Sequence, residues 1–309
     1  MRILGRNRLL ATALLLACPL GFGGNCPNPM LLLNSVGRDL TVRRDILAGD
    51  IKVTVDGTQT KVVSVSLSSG PRRIVLMVDT SGSMNLSPQR SGWGIALRTA
   101  AFAYTAIPSD ASVALVTFGD KEQGVSDGFQ DRPKVGRRML NLAKQEPSGR
   151  TALFDSIDQA LSLFQVPQLG DAIYLVTDGG DNKSHFSIGK LKEKLAVHGV
   201  RVFVFLVPID GVMTVEEAEG QSQMGELAQY TGGYVIRAPW NEITTNNEAW
   251  LTRLATQIRS QLQEMYQIEL DIPSVEGSKG RVKVGSAGRK LDNNTLAYPR
   301  QLVPCTPVP

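Results

Sequence analysis

The stretch RIVLMVDTSGS at residues 73–83 decides the fold of this chain. Its first half is a continuous apolar run, which is typical of a strand buried on both faces of a parallel sheet. The run ends at Asp79, and Ser81 and Ser83 then place two hydroxyls at alternate positions around Gly82. In open α/β sheets, ligands bind beyond the carboxyl ends of the strands. The stretch therefore predicts a polar ligand site at a strand end.

Further apolar runs alternate along the chain with segments of helical periodicity. Such alternation predicts a doubly wound α/β fold with a mostly parallel central sheet flanked by helices. A short edge strand at 125–129 and another strand at 234–237 extend the sheet. The other predicted strands are 113–118, 172–177 and 200–207, and the predicted helices are 93–106, 133–144, 152–164, 188–197, 224–230 and 247–265.

Small β additions are predicted at both ends of this α/β domain. Alternating apolar positions on either side of Asp56-Gly57 indicate a hairpin. Two more strands, at 266–272 and 281–284, follow the last helix. We therefore predict a linker at 19–37, a β-rich prefix at 38–70, the α/β domain at 71–264, and C-terminal strands with a Pro-rich tail at 265–309.

Residues 1–18 are typical of a signal peptide, because basic residues precede a short apolar run, LLATALLLA at 9–17. The run is too short to span a bilayer, and its alternative is a buried N-terminal helix. LLAC at 15–18 resembles a lipobox, in which Cys18 would carry a lipid anchor. Ordinary cleavage at 21–24 fits equally well. Either process predicts export to the periplasm, the outer membrane or cell envelope, or the medium.

Cys26 and Cys305 stand near opposite ends of the exported chain. In an oxidising compartment they could pair and tie the two ends together. Detection of two free thiols by non-reducing mass spectrometry would contradict this hypothesis.

The charge balance gives little support for a nucleic-acid partner. The formal charge of +4 falls to +1 once Arg2, Arg6 and Arg8 leave with the signal peptide, because 30 basic residues then face 29 acidic ones. No long basic run remains, and nucleic-acid binding depends on such patches. Membrane association is expected only through a lipid anchor on Cys18.

Two more polar positions accompany the first loop. Asp178 follows the apolar run at 172–177, and Thr151 directly precedes a predicted helix. Carboxylate and hydroxyl oxygens are the ligands of hard cations, so Mg²⁺ is expected, with Mn²⁺ or Ca²⁺ as alternatives. The sequence therefore predicts a metal site that consists of Asp79, Ser81, Ser83, Thr151 and Asp178.

These three pieces resemble the metal-ion-dependent adhesion site of von Willebrand factor type A (VWA) domains. That site has a DxSxS loop, a threonine and then an aspartate at a strand end. By this resemblance Ser81, Ser83 and Thr151 would coordinate the ion directly. Asp79 and Asp178 would do so directly or through water.

The resemblance extends over residues 40–285 to the bacterial VWA-related family of the acidobacterial type, which comprises predicted secreted or envelope proteins of largely unknown role. It rests on the late strand that begins at Tyr266 and on VDG at 55–57, TALFD at 151–155, DGGDN at 178–182 and YTGG at 230–233.

The resemblance implies a metal-dependent protein-binding module in which an acidic side chain of a partner completes the coordination. Neutral hydroxyl ligands fit this role, because they leave the cation electrophilic. The alternatives are a scaffold component with a structural metal and, third, a metal-assisted hydrolase.

Several features argue against an enzyme. A phosphatase of the haloacid-dehalogenase type would have an aspartate where Ser81 stands. The sequence has no GxSxG elbow and no P-loop, and neither His185 nor His198 stands in a triad setting. Zinc-ligand spacing is absent as well. We therefore expect no catalysis.

Overall fold

The computed structural model describes residues 29–37, 42–68, 72–85, 92–119, 128–208, 213–237, 248–272, 280–288, 291 and 295–302. The predicted signal peptide at 1–18 and the cysteines Cys18, Cys26 and Cys305 lie outside the described residues, so their roles stay predictions.

The described residues form strands and helices in the following order. The strands are β1 (Met30–Val36), β2 (Ile51–Val55), β3 (Thr58–Ser68), β4 (Arg73–Asp79), β5 (Ser112–Phe118), β6 (Ala172–Thr177), β7 (Arg201–Leu206), β8 (Val235–Arg237), β9 (Met265–Asp271), β10 (Val282–Ser286) and β11 (Thr295–Ala297). The α-helices are α1 (Gly92–Ala106), α2 (Arg132–Leu142), α3 (Leu153–Leu161), α4 (Ile188–His198), α5 (Val215–Thr231) and α6 (Glu248–Gln263), and 3₁₀ turns lie at Ala48–Asp50, Gly82–Asn85 and Ser162–Phe164.

The central sheet has the strand order β5-β4-β6-β7-β8, and all four described pairings are parallel. Alternate residues of β4 face opposite layers. Ile74, Leu76 and Val78 pack in the core with α1, α2 and α6. Val75 and Met77 pack in the core with α3, α4 and α5. The apolar run is continuous because both faces are buried, and the predicted α/β fold with helices on both faces is confirmed.

Most of the edge strand predicted at 125–129 lies outside the described residues. Beside it, Gln130 forms one antiparallel bridge with Val113 of β5. An antiparallel neighbour therefore approaches the parallel sheet at this edge.

The predicted strands of the two β additions lie in one antiparallel sheet together with β1 and β11, which were not predicted, and its order is β10-β2-β3-β9-β1-β11. The β2–β3 hairpin turns at Asp56 and Gly57, whose φ angles of 49° and 86° are those of a primed turn. The N-terminal and C-terminal additions are thus halves of a single layer, in which β9 pairs with both β1 and β3.

The linker prediction at 19–37 is wrong over residues 30–36, which form β1. Leu31 and Leu33 are fully buried and pack in one core with Tyr266 and Ile268 of β9. The Gly- and Pro-rich composition that suggested a linker ends at Pro29, and the short apolar run after it is stabilised by a strand that comes more than 200 residues later.

Helix α5 is longer than the predicted helix at 224–230. Thr214 and Glu217 form a capping box at its start, and Gly232 ends it with a φ of 78°. Its first half carries few apolar residues, so periodicity alone did not reveal it. Within the described part of the chain, no helix combines the length and hydropathy that a membrane crossing requires.

A candidate metal centre at the carboxyl end of the parallel sheet

The structure brings the five predicted site residues to three adjoining loops. Asp79 is the last residue of β4, and Ser81 and Ser83 lie in the turn that follows it. Thr151 precedes α3, and Asp178 directly follows β6. Asp79, Ser81, Thr151 and Asp178 are buried, whereas Ser83 is half-buried. The predicted set is therefore assembled at the carboxyl ends of the parallel strands, with Ser83 nearest to solvent.

The first loop folds back on its own carboxylate. The backbone N–H of Ser81 donates to Oδ1 of Asp79 at 2.9 Å, and the hydroxyls of Ser81 and Ser83 lie 3.1 Å apart. The Ser83 hydroxyl also lies close enough to the Asp178 carboxylate to favour its ionised form, which opposes the rise of its pKa. The two serines and the two aspartates thus form one connected group of oxygen ligands.

Thr177 is a site residue that sequence reasoning missed. It is the last residue of β6, and its Oγ1 donates to Oδ2 of Asp79 at 2.6 Å. The same hydroxyl accepts the N–H of Gly179 at 3.0 Å. Thr177 therefore fixes the second carboxylate oxygen of Asp79 and the start of the Asp178 loop. A hydroxyl at the end of an apolar run, beside a strand that ends in aspartate, is the signal that could have identified it.

The backbone around Thr151 is held by both of the other loops. On one side, the N–H of Gly82 donates to the carbonyl of Gly149 at 2.9 Å. A Cβ atom on Gly82 would lie 3.1 Å from that carbonyl oxygen, so the close approach favours glycine. On the other side, the Thr151 N–H donates to Oδ1 of Asn182 at 3.0 Å, and its carbonyl accepts the Asn182 N–H at 3.1 Å.

The start of α3 is capped by side chains from the Asp178 loop, since Ala152 at the N-cap position has no polar side chain. Asp181 accepts the N–H of Leu153 at 2.8 Å. Ser184 accepts the N–H of Phe154 at 3.0 Å and donates to Asp181 at 2.6 Å. These bonds satisfy amides that every helix start leaves open, and they fix α3 to the site.

Burial makes the two aspartates unfavourable as free anions. Desolvation, and then the charge of Asp178, raise the pKa of Asp79. Desolvation likewise raises the pKa of Asp178. The hydrogen bonds described for both carboxylates come from hydroxyls and backbone amides, so none of them brings a positive charge.

The residues present fit a divalent cation. Within the described residues, no group of three or more His, Cys, Asp or Glu side chains could hold a metal, so a site here depends on hydroxyls. A set of hydroxyl and carboxylate oxygens suits a hard cation, and a cation would offset the cost of burying two aspartates. That the five residues ligate a metal stays a prediction.

Comparison with known families agrees with this architecture. Residues 74–180 match the von Willebrand factor type A domain. The matched segment contains all five predicted site residues, and the resemblance to VWA domains is confirmed for it. The narrower resemblance to the acidobacterial type stays a prediction. A search of curated proteins gave no match.

The chain is also similar to several solved structures. An aerotolerance-related membrane protein from Bacteroides fragilis is 20% identical with a TM-score of 0.41, over 60% of this chain and 98% of that one. A von Willebrand factor type A protein from Catenulispora acidiphila is 15% identical with a TM-score of 0.43, and the match covers 77% of this chain and 52% of that one. The proximal thread matrix protein 1 of the mussel byssus, with a zinc-occupied MIDAS motif, is 17% identical with a TM-score of 0.45. That match covers 67% of this chain and 49% of that one.

Proposed function

We propose that this chain is a metal-ion-dependent protein-binding module of the bacterial cell envelope. Asp79, Ser81, Ser83, Thr151 and Asp178 would hold the ion, and Mg²⁺ is the metal that their oxygen chemistry favours. The observation that carries the proposal is the connected group of two hydroxyls, 3.1 Å apart, and two buried carboxylates at the carboxyl end of the sheet.

The contacts of the carboxylates favour ligand binding. Asp79 accepts bonds from the Ser81 N–H and the Thr177 hydroxyl, and Asp178 accepts the Gly180 N–H at 3.0 Å. These protein donors bind the same carboxylate oxygens that would neutralise a cation. Part of the charge of a bound cation would therefore stay uncompensated, and the cation would attract a further anionic ligand. An Asp or Glu side chain of a partner protein supplies one.

The approach to the site is on the side of Ser83, which is the half-buried member of the set. The partner's carboxylate would enter there, while the buried residues hold the ion from below. We also propose that the site catalyses no reaction, because neither His185 nor His198 stands in a triad setting and Ser81 stands where a phosphatase of the haloacid-dehalogenase type would have an aspartate.

The test begins with metal binding by the purified full-length chain. Equilibrium dialysis with Mn²⁺, which reports on the same oxygen site, should show one ion bound per chain. The Ser81→Ala/Ser83→Ala double variant should lose this binding, because it removes two ligand oxygens that join the connected group. An unchanged affinity in the double variant would rule out the proposed site.

Affinity capture from the native envelope then tests the partner. Capture in Mg²⁺ should retain a protein that is released by EDTA and is not retained by the double variant. A partner that stays bound in excess EDTA would instead favour the scaffold, in which the metal only shapes the loops. Mg²⁺-dependent hydrolysis of a generic phosphoester, abolished by Asp79→Ala, would favour the hydrolase.

The proposed location in the envelope rests on the basic and apolar pattern of residues 1–18. Cell fractionation and mass spectrometry of the mature N-terminus test it. A lipid-modified Cys18, lost in Cys18→Ala, would identify the anchored form, and an unmodified N-terminus at 21–24 would identify the released one. A mature protein that retains residues 1–18 in the cytoplasm would contradict export.

A further inference from the structure

A second buried polar cluster lies at the amino ends of the parallel strands, opposite the candidate metal loops, where the parallel sheet meets the antiparallel one. Arg201 is the first residue of β7 and is 1% exposed. Gln261 of α6 and Asn34 of β1 are 2% and 1% exposed. Because the candidate metal loops follow the strand ends, this cluster at a strand start is separate from them.

One side of the Arg201 guanidinium is fully engaged. Its Nη1 donates to Oδ1 of Asn34 at 2.8 Å and to the carbonyl of Gln261 at 3.4 Å. The guanidinium carbon also lies 5.0 Å from the ring centroid of Phe203, so a face of the group is covered. These contacts fix the orientation of the whole planar group.

The other edge of the Arg201 guanidinium has no hydrogen-bond partner. Nε and Nη2 are buried, and neither atom meets an acceptor within the part of the chain that the structure describes. This edge is the fork that binds carboxylates and phosphates through two parallel bonds. Leaving two charged donors unsatisfied in a protein interior is strongly unfavourable.

Arg73, in the same region, shows the kind of ligand that binds to the Nε and Nη2 side of a guanidinium. Its Nε and Nη2 donate to the two carboxylate oxygens of Asp171 at 2.9 and 2.5 Å. Asp171 also accepts the N–H of Gln168 at 2.8 Å, so this aspartate is already engaged. Arg201 therefore has the same fork as Arg73 without the oxyanion that fills it.

Gln261 adds a neutral donor beside the open fork. Its backbone carbonyl contacts Arg201, and its side-chain Nε2 and Oε1 are both buried without a partner among the described residues. A buried amide with four unused hydrogen-bond positions also requires a polar neighbour. Two unsatisfied groups on adjoining residues thus point to one missing ligand.

The charge in this region is positive. Arg72, Arg73 and Arg201 lie near Asp171, which forms a salt bridge with Arg73, and Arg72 also faces the carboxylate of Asp110, so three cations face two carboxylates. Burial, and then the charge of Arg72, lower the pKa of Arg201 to about 9. The guanidinium is therefore still protonated at neutral pH, and an excess of buried positive charge calls for an anion.

We propose that a small inorganic oxyanion, phosphate or sulfate, binds between the two sheets, held bidentately by Nε and Nη2 of Arg201 and by the side-chain amide of Gln261. The anion links β7 of the parallel sheet to α6, which leads directly into β9 of the antiparallel sheet. Its role is structural: it completes the junction between the layers. This proposal is independent of the cation site.

The full-length protein, dialysed against EDTA in buffer free of phosphate and sulfate, is the material for the test. Its melting temperature should rise saturably when phosphate or sulfate is added at constant ionic strength with chloride. A one-site ligand at about 100 times its Kd should raise it by about 5 °C. A second sample that has not been dialysed should release about one oxyanion per chain when it is denatured, as expected for a single site, and ion chromatography measures the released anion.

Two variants separate specific binding from the general stabilisation that these salts give. Arg201→Met removes the fork and should abolish the saturable rise. Should that variant not fold, Gln261→Met keeps the fork and should weaken the anion about tenfold, through the loss of one hydrogen bond to a charged ligand. Arg44→Met is the matched control, because Arg44 is exposed and pairs with Glu264 beside the same junction.

Three results would overturn the proposal. The first is the absence of both a released oxyanion and a saturable rise, which would mean that water satisfies the fork. The second is an equal rise in the wild type and Arg201→Met, which would indicate a general salt effect, or, should that variant not fold, an unchanged anion affinity in Gln261→Met, which would show that the amide does not hold the anion. The third is a saturable rise with chloride alone, which would exclude an oxyanion.

Discussion

Gly220 of α5 lies directly against the carbonyl of Gly179, in the loop that begins at Asp178. A Cβ atom placed on Gly220 would lie 2.0 Å from that carbonyl oxygen, which is far inside van der Waals contact. Gly179 itself has a φ of 96°, which favours glycine. At Gly220 the helix and the candidate metal loop therefore touch backbone to backbone, and a shift of α5 must move the backbone beside Asp178.

Gly220→Ala tests this contact. The added methyl group must push α5 away from the loop, and overpacking of this kind costs about 1–3 kcal/mol in the free energy of unfolding. We also expect weaker Mn²⁺ binding, because Asp178 moves with Gly179. Urea denaturation and equilibrium dialysis measure the two effects.

The control for Gly220→Ala is Gly225→Ala on the same helix. A Cβ atom at Gly225 would meet nothing closer than Nη2 of Arg237 at 3.8 Å. The substitution should therefore stabilise the helix by about 0.5–1 kcal/mol and leave metal binding unchanged. Similar effects of the two substitutions would show that the close contact does not matter.

Thr177→Val removes the donor that serves Oδ2 of Asp79. The loss leaves a buried carboxylate oxygen without its 2.6 Å bond, which should cost about 1–3 kcal/mol in the free energy of unfolding without metal. Thr177→Ser keeps the hydroxyl and should retain most of the stability and the Mn²⁺ affinity. If Thr177→Val and Thr177→Ser behave alike in urea denaturation, packing of the methyl group is the main contribution.

Asp181→Ala removes the side-chain acceptor that caps α3 from another loop. Loss of a helix cap costs about 0.5–2 kcal/mol, and the effect should reach Thr151, which lies directly before the capped turn. We expect a lower urea midpoint and weaker Mn²⁺ binding. Asp181→Asn retains an acceptor oxygen and should be nearly neutral in both measurements. Full metal affinity in Asp181→Ala would show that Thr151 is held well enough by Asn182.

The residues whose role depends on local sequence were predictable. The inner strands β4, β6 and β7 are nearly continuous apolar runs because both their faces are buried, and the run at residues 73–83 reveals both the strand and the loop. The approach of the three loops followed from one rule of α/β sheets, that ligand sites lie beyond the carboxyl ends of the strands.

The parts that sequence reasoning missed depend on contacts distant in the chain. Asn34 hydrogen-bonds with the backbone of Glu264, 230 positions away, and no local pattern indicates that β1 pairs with β9. Asp181 caps a helix that begins 28 positions earlier, so capping rules applied around Ala152 could not find it. Thr177 differs from an ordinary strand residue only through its neighbour Asp79.

The contribution of Asp79 and Asp178 to the stability of the metal-free protein should fall as the pH rises from about 4 towards 7. Burial, and then the charge of Asp178, raise the pKa of Asp79 from 3.8 to about 7, and burial also raises the pKa of Asp178. The folded chain therefore binds more protons than the unfolded chain in this window. Stability falls with pH wherever the native state binds more protons.

A divalent cation should reverse this trend, because it competes with protons for the same carboxylates and favours their ionised forms. We therefore expect the increase in the urea midpoint on adding Mg²⁺ to be larger near pH 7 than near pH 5. Denaturation in EDTA and in excess Mg²⁺ at both pH values measures it. Asp79→Asn cannot ionise at this position, so its metal-free stability should vary less with pH, and its response to Mg²⁺ should be small at both. An equal Mg²⁺ increment at the two pH values in the wild type would show that the ion does not bind to these aspartates.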